Sequence, residues 1–194
     1  MHPCLHQLLF GILAALFGAG SAHATLSQVG ETPNILVLVA DDMGWEDNSL
    51  YGARNVPTPN LMSLATSGAV VETAILTAPS SSPSRISMLS GLYPHQTGAE
   101  DMHIPLPKSF KILPHYLKRA GYKTGHMKKT HYGPHAEAQF EWYSDNLKDF
   151  TIFLDEAGKK PFFLWVGFND PHRIFGENDP KADEWTDKTT TRHP

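Results

Sequence analysis

The chain has 194 residues, 41% of them apolar and 19% charged, with fifteen Gly and fifteen Pro, which fits a globular protein and excludes fibrous and disordered classes. Sixteen Lys and Arg against twenty Asp and Glu give a formal charge of -4, so the whole-chain balance offers no basic field of the kind that draws a protein to nucleic acid. One cysteine, Cys4, excludes an intramolecular disulfide and a cysteine-based zinc site, while eleven histidines ask for a chemical explanation.

Residues 1–24 read as an export signal. Leu8 to Gly20 is an apolar run of signal-core length, too short to span a bilayer, and Ala22-His23-Ala24 matches the small-x-small cleavage pattern. The segment ahead of it carries His2 and His6 but no Lys or Arg, so a buried or membrane-anchoring helix is the other reading. The switch to polar TLSQVGETPN favours cleavage, which predicts a periplasmic or extracellular protein without a stable membrane anchor and without Cys4.

An α/β layer pattern without repeats follows over 25–194. Asn34 to Ala40 is a continuous β-branched run, as expected of a parallel strand buried on both faces. Asn60 to Gly68 predicts a short helix and Ala69 to Leu76 a strand. Pro83 to Leu89 predicts a helix opening on proline, where the missing N–H costs nothing. Ser109 to Ala120 predicts an amphipathic helix despite Pro114 within it, and Tyr122 to Lys128 a strand. Ser144 to Ala157 carries a helical apolar period, and Pro161 to Phe168 is a second buried strand. Strands alternating with helices predict a doubly wound, mostly parallel sheet.

Chemistry-bearing residues collect at the C-terminal ends of these strands, where open α/β sheets place their sites. Asp41 and Asp42 close the first strand. Adjacent carboxylates repel unless a cation lies between them, and hard oxygens suit calcium or magnesium; an acidic turn capping a helix is the alternative. Ser80 to Gly98 holds Ser81-Ser82-Pro83-Ser84-Arg85, then Met88-Leu89-Ser90-Gly91. Lys129-Thr130-His131 ends the strand after the Ser109 helix, and Pro171-His172-Arg173 follows the PFFLWVGF strand. His95, His103, His115, His126 and His135 have no assigned role on sequence grounds, and Trp45, Tyr51, His103 and Trp142 line either a sugar pocket or the core.

The Ser-x-Pro-Ser-Arg loop with its downstream Gly91, the strand-end Asp pair, the Lys-x-His and the Asp-Pro-His-Arg resemble the type I sulfatases, whose alkaline-phosphatase-like fold carries a Ser or Cys oxidised to formylglycine. Within them, the His-x-Gly-Pro string at His131 to Pro134 and Asp170 to Arg173 resemble the heparan N-sulfatase branch. The resemblance spans 33–176 and implies hydrolysis of a sulfate ester or sulfamate on a carbohydrate. It implies a calcium or magnesium ion on Asp41, Asp42 and residue 81, and a formylglycine (3-oxoalanine) made from Ser81 by a Ser-type maturase. The catalytic set it implies is Ser81, Arg85, Lys129, His131 and His172, with Lys129, His172 and His103 on the substrate.

In the mechanism that follows from this resemblance, a hydrated aldehyde at position 81 attacks sulfur. A metal draws charge from the sulfuryl oxygens, and the helix that opens near Pro83 favours the anion with its positive end. Arg85 would steady the nucleophile and metal, Lys129 and His172 would bind sulfuryl oxygens and protonate the leaving group, and His131 would orient the nucleophile. Two departures stand out: Lys128 where the family usually has Gly, and Ser at a position often held by Cys. The family's later metal ligands lie beyond this length, so 25–194 is expected to be the N-terminal portion of a catalytic domain. Phosphodiesterases and phosphonate hydrolases share the superfamily, and a fragment that only binds sulfated glycans is the non-enzymatic alternative; Ser-x-Pro-Ser-Arg favours sulfate hydrolysis.

Overall fold

A parallel sheet needs apolar strands joined by crossovers long enough to hold a helix, and four segments of this chain meet that need. The computed structural model describes residues 32–54 and 56–172; the segment read as an export signal and Arg173 lie outside the described residues. In the unit that begins at Pro33, the strands are β1 (Ile35–Val39), β2 (Lys123–Lys128), β3 (Trp142–Ser144) and β4 (Phe162–Gly167). They lie in the order β1-β4-β2-β3, and every pairing is parallel. The register aligns Val39 of β1 and Lys128 of β2 with Gly167 of β4, so three strands end side by side.

The helices are α1 (Pro59–Ser67), α2 (Ser81–Ser90), α3 (Pro94–Thr97), α4 (Leu113–Arg119), α5 (Pro134–Glu137) and α6 (Phe150–Ala157). Ile86 and Leu89 of α2, Leu117 of α4 and Ala136 of α5 pack with Phe163 and Trp165 on one face of the sheet. Phe153 and Leu154 of α6 cover Met127, Leu164 and Val166 on the other. This is the predicted α/β class, with helices on both faces of a parallel sheet. Gly125 admits Phe153 to the sheet: a Cβ there would lie 2.5 Å from Phe153 Cε2 and 3.2 Å from Leu164 Cδ1. Among the described residues, no helix is long and apolar enough to cross a membrane.

Several boundaries differ from the sequence reading. β1 is an edge strand: Ile35, Val37 and Val39 face the core, but Leu36 and Leu38 are 47% and 57% exposed because α6 covers only the other strands. Residues 69–76 form no strand, since no ladder of the sheet reaches them, and Ile75 is exposed. Pro114 does not interrupt the interior of a helix. It falls in the first turn of α4, where a missing N–H is harmless, so the helix starts at Leu113. The 144–157 segment is shorter for a similar reason, because Trp142 to Ser144 pair with β2 as β3 and a 3-10 turn precedes α6. α2 begins two residues earlier than predicted, at Ser81, with Pro83 still in its first turn.

His126, in the middle of β2, is 3% exposed among the rings of Phe140 and Tyr143, both at 4.7 Å. Its Nδ1 has no hydrogen-bond partner, and burial pushes its pKa down to about 4. The unfolded chain therefore takes up this proton near the ordinary value of 6.5, while the native state stays neutral until about 4. Stability from this group is complete above that ordinary value and is lost as pH falls toward the folded one. Thermal or urea unfolding is expected to show about 2 kcal/mol lost to His126 on going from neutral pH to about pH 5, and His126→Phe to remove that share. An unchanged slope in the variant would contradict the assignment.

Candidate active site

The shared strand ends bring three loops together. Phe168 N donates to Val39 O at 2.9 Å, Asp41 N to Asp170 O at 3.1 Å and Lys129 N to Gly167 O at 2.8 Å. The segments carrying Asp41-Asp42, Lys129 to His131 and Asp170 to His172 are thereby stitched edge to edge. α2 packs on the same face with its N-terminus toward them. Its first residue is Ser81, and Arg85 stands four residues on, on the same side of the helix.

Asp41 is the meeting point. Its carboxylate is 3% exposed, and Oδ1 accepts from Ser81 Oγ at 3.1 Å and from Arg85 Nη2 at 3.1 Å, while Oδ2 pairs with Lys129 Nζ. Arg85, 2% exposed, also donates from Nη1 to the Lys129 carbonyl at 3.3 Å. Burial alone would raise the Asp41 pKa, but hydrogen bonds from Lys129 and Arg85, reinforced by their charges, outweigh it and hold the carboxyl below its ordinary value.

The histidines divide by environment. His131 carries a buried, unpartnered Nδ1, and its ring meets that of His103 edge-on at 5.3 Å. Burial, then Lys129, His103 and Arg85, lower the His131 pKa, with Asp41 opposing, so the ring is held toward its neutral form. His103 N donates to Ser82 Oγ at 3.1 Å, and with His131, Thr130, Gly133 and Glu137 its residue walls a pocket of about 200 Å³ beside α2. His172 Nε2 lies 3.6 Å from Asp42 Oδ2, within ion-pair range when the ring is protonated. The remaining histidines stand apart: His126 is core, and His95 stacks on Tyr93 at the surface. Trp142 packs on Phe153 in the core, whereas Trp45 is exposed and edge-on to Tyr51 at 6.4 Å.

Backbone strain surrounds these groups. Asp42, His103, Lys128 and His131 all hold positive φ, between 56° and 65°, although none is glycine. For Lys128 this explains why a glycine suits the position. Two contributors have only a weak sequence signal. Thr130 Oγ1 donates to Glu137 Oε1 at 2.5 Å across the pocket wall, a pairing that sequence spacing does not announce. Gly167 does have a signal, as the one residue without a side chain in an otherwise bulky buried strand.

Asp41, Asp42 and Ser81 offer hard oxygens at one strand end, a donor chemistry that fits calcium or magnesium. They supply only part of the six to eight oxygens that calcium takes, and among the described residues no group of three or more His, Cys, Asp or Glu gathers to hold a metal. Of this set the structure brings Asp41 and Ser81 together, with the Asp41 charge balanced by Lys129 and Arg85, while the exposed Asp42 carboxylate lies against His172.

The fold is of the alkaline-phosphatase-like, sulfatase class. The chain aligns with Ps i-CgsB in complex with k-i-k-neocarrahexaose at TM-score 0.64 and 25% identity, over 73% of this chain and 46% of that one. It also aligns, in fold alone, with an enzyme bound to its substrate D-glucosamine-2-N,6-O-disulfate, at TM-score 0.66 and 24% identity, over 73% and 35%. The family model described as Sulfatase matches residues 33–152, and the chain belongs to the sulfatase family. It is 34% identical to human N-sulphoglucosamine sulphohydrolase over 175 residues, 80% of this chain and 34% of that protein. It is 36% identical to the N-acetylgalactosamine-6-sulfatase of Rattus norvegicus over 140 residues, 66% and 26%. The chain thus spans between about a quarter and a third of the length of these relatives.

Gly167 tests the close packing of the site. A Cβ there would collide with the Lys129 carbonyl and come within 2.7 Å of Arg85 Nη1, both fixed by the Asp41 pairing. Gly167→Ala is expected to cost about 2–4 kcal/mol in urea unfolding. Wild-type stability in that variant would show that the strand end tolerates a side chain.

Proposed function

We propose that this chain carries the nucleophile-bearing portion of an exported hydrolase that cleaves sulfate from a sulfated carbohydrate, with the sulfamate of N-sulfated glucosamine as substrate. The single observation that carries the reading is the Ser81 hydroxyl on Asp41, with Arg85 and Lys129 on the same carboxylate. The similarity to N-sulphoglucosamine sulphohydrolase, which extends over 80% of the chain, supports the choice of substrate.

Serine is a weak nucleophile at neutral pH. Oxidation of Ser81 to formylglycine by a Ser-type maturase would supply an aldehyde whose hydrate is a better one. A calcium or magnesium ion on Asp41, Asp42 and the oxygen of residue 81, completed by ligands outside the described residues, would draw charge from the sulfuryl oxygens. The chain's own residues do the rest. Arg85, fixed on Asp41 and on the Lys129 carbonyl, steadies the carboxylate against which residue 81 is aligned. Lys129 and His172 receive sulfuryl oxygens and the proton demand of the leaving group. His131, held toward neutrality, accepts a proton from the nucleophile, and His103 closes the pocket against it. The first turn of α2 points backbone N–H groups at the anion.

Peptide mass spectrometry after co-expression with a Ser-type maturase is expected to show residue 81 lighter by a hydrogen pair, and the enzyme to release sulfate from N-sulfated glucosamine. Ser81→Ala should lower that release by about a thousandfold or more. Activity with an unmodified Ser81 would sink the formylglycine chemistry, and release from O-sulfated sugars alone would overturn the substrate assignment.

A further inference from the structure

From Met102 to Ala136 the sequence contains seven cations, Lys108, Lys111, Lys118, Arg119, Lys123, Lys128 and Lys129, and not one Asp or Glu, in a chain whose total is -4. Two of them are neutralised, Lys129 by Asp41 and Lys123 by Glu156 at 2.9 Å. Lys111, Lys118 and Arg119 are exposed and pair with no carboxylate among the described residues. On α4, His115, Lys118 and Arg119 fall at i, i+3 and i+4, the spacing of one helical face, and Lys111 immediately precedes the N-cap residue Ile112. The opposite side of this segment is anchored, with Ile112 and Pro114 buried and Leu117 packed on the core.

The cations act together on His115, whose pKa is lowered by partial desolvation and then by Lys111, Arg119 and Lys118, with no carboxylate opposing them. Next to it, the Tyr116 ring is 58% exposed and edge-on to the imidazole at 5.3 Å. α4 leads into β2, with Lys118 and Arg119 in its last turn. Gln139 ties the start of α4 to the segment after α5: its Oε1 accepts from Ile112 N at 3.0 Å and its Nε2 donates to Phe110 O at 3.1 Å. Gln139 follows α5, which contributes Glu137 to the pocket wall.

We propose that the α4 flank formed by Lys111, Tyr116, Lys118 and Arg119 docks a sulfated polysaccharide chain outside the catalytic pocket. Unpaired, exposed cations attract the sulfate groups, and the open tyrosine ring gives a pyranose an apolar face to rest on. The choice of a sulfated glycan as occupant rests on the sulfatase reading of the site; the cationic flank itself rests on charge and exposure alone.

Fluorescence anisotropy of labelled heparin, titrated with the full chain at several salt concentrations, tests it. Lys111→Ser, Lys118→Ser and Arg119→Ser combined are expected to weaken binding about tenfold or more at physiological salt and to flatten its salt dependence. A control triple of equal charge change, Lys148→Ser with Lys159→Ser and Lys160→Ser, should stay within about twofold of wild type. Tyr116→Ser should weaken binding without altering the salt dependence, and circular dichroism confirms that each variant folds. Equal loss in both triples, or loss in neither, overturns the docking surface, and equal affinity for single-stranded DNA of matched charge overturns the glycan as its occupant. Binding is read without turnover, so absent sulfate release counts against the catalytic reading alone, and unchanged heparin affinity in the α4 triple counts against this proposal alone.

Discussion

Asp41 holds the site together by carrying three partners on one nearly buried carboxylate. Ser81 and Arg85 reach it from α2, and Lys129 reaches it from the end of β2. A carboxylate with so little exposure is costly unless paired, and two cations are equally costly without it; removing one member of such a group costs about 3–5 kcal/mol. The pairing therefore fixes the position of α2 relative to the sheet. It also means that the hydroxyl of Ser81 is aimed by a charge network and not by its own short side chain.

The sheet makes this possible. Because Val39 and Lys128 both register with Gly167, the loops that leave β1, β2 and β4 start from neighbouring points. Gly167 removes the side chain that would separate Arg85 from the Lys129 carbonyl. Asp42, His103, Lys128 and His131 take left-handed backbone conformations around the same spot, a local cost that the surrounding hydrogen bonds and packing offset. The result is a buried cluster of a hydroxyl, a carboxylate and two cations at the strand ends, with a small pocket walled by His103, His131 and Glu137 beside it.

Much of this was legible in the sequence because it rests on local signals. Apolar runs marked β1 and β4, the helix stop before Tyr122 marked β2, and the Ser81 to Gly91 string with the strand-end Asp, Lys-x-His and Pro-His pieces picked out residues that the fold brings to neighbouring strand ends. What escaped depended on partners far along the chain. Residues 69–76 have strand-like composition but no neighbouring ladder, and Trp142 to Ser144 become a strand only because Gly125 to Met127 pair with them. The two-sided burial expected of β1 fails because α6 reaches the other strands and not Leu36 or Leu38. The Thr130–Glu137 bond and the edge-on His103–His131 pair depend on how the loops fold over α2, which no residue pattern encodes. The overall charge also misled by averaging: a net of -4 conceals a long acid-free stretch whose cations serve both the site and the α4 flank.

Arg85 and Lys129 keep Asp41 ionised despite its burial. Titration of its carboxyl carbon by NMR, with the resonance assigned through Asp41→Asn, measures this directly. The midpoint should fall below the ordinary Asp value of 3.8. A midpoint above that value would mean that burial dominates and that the two cations do not hold the site together as described.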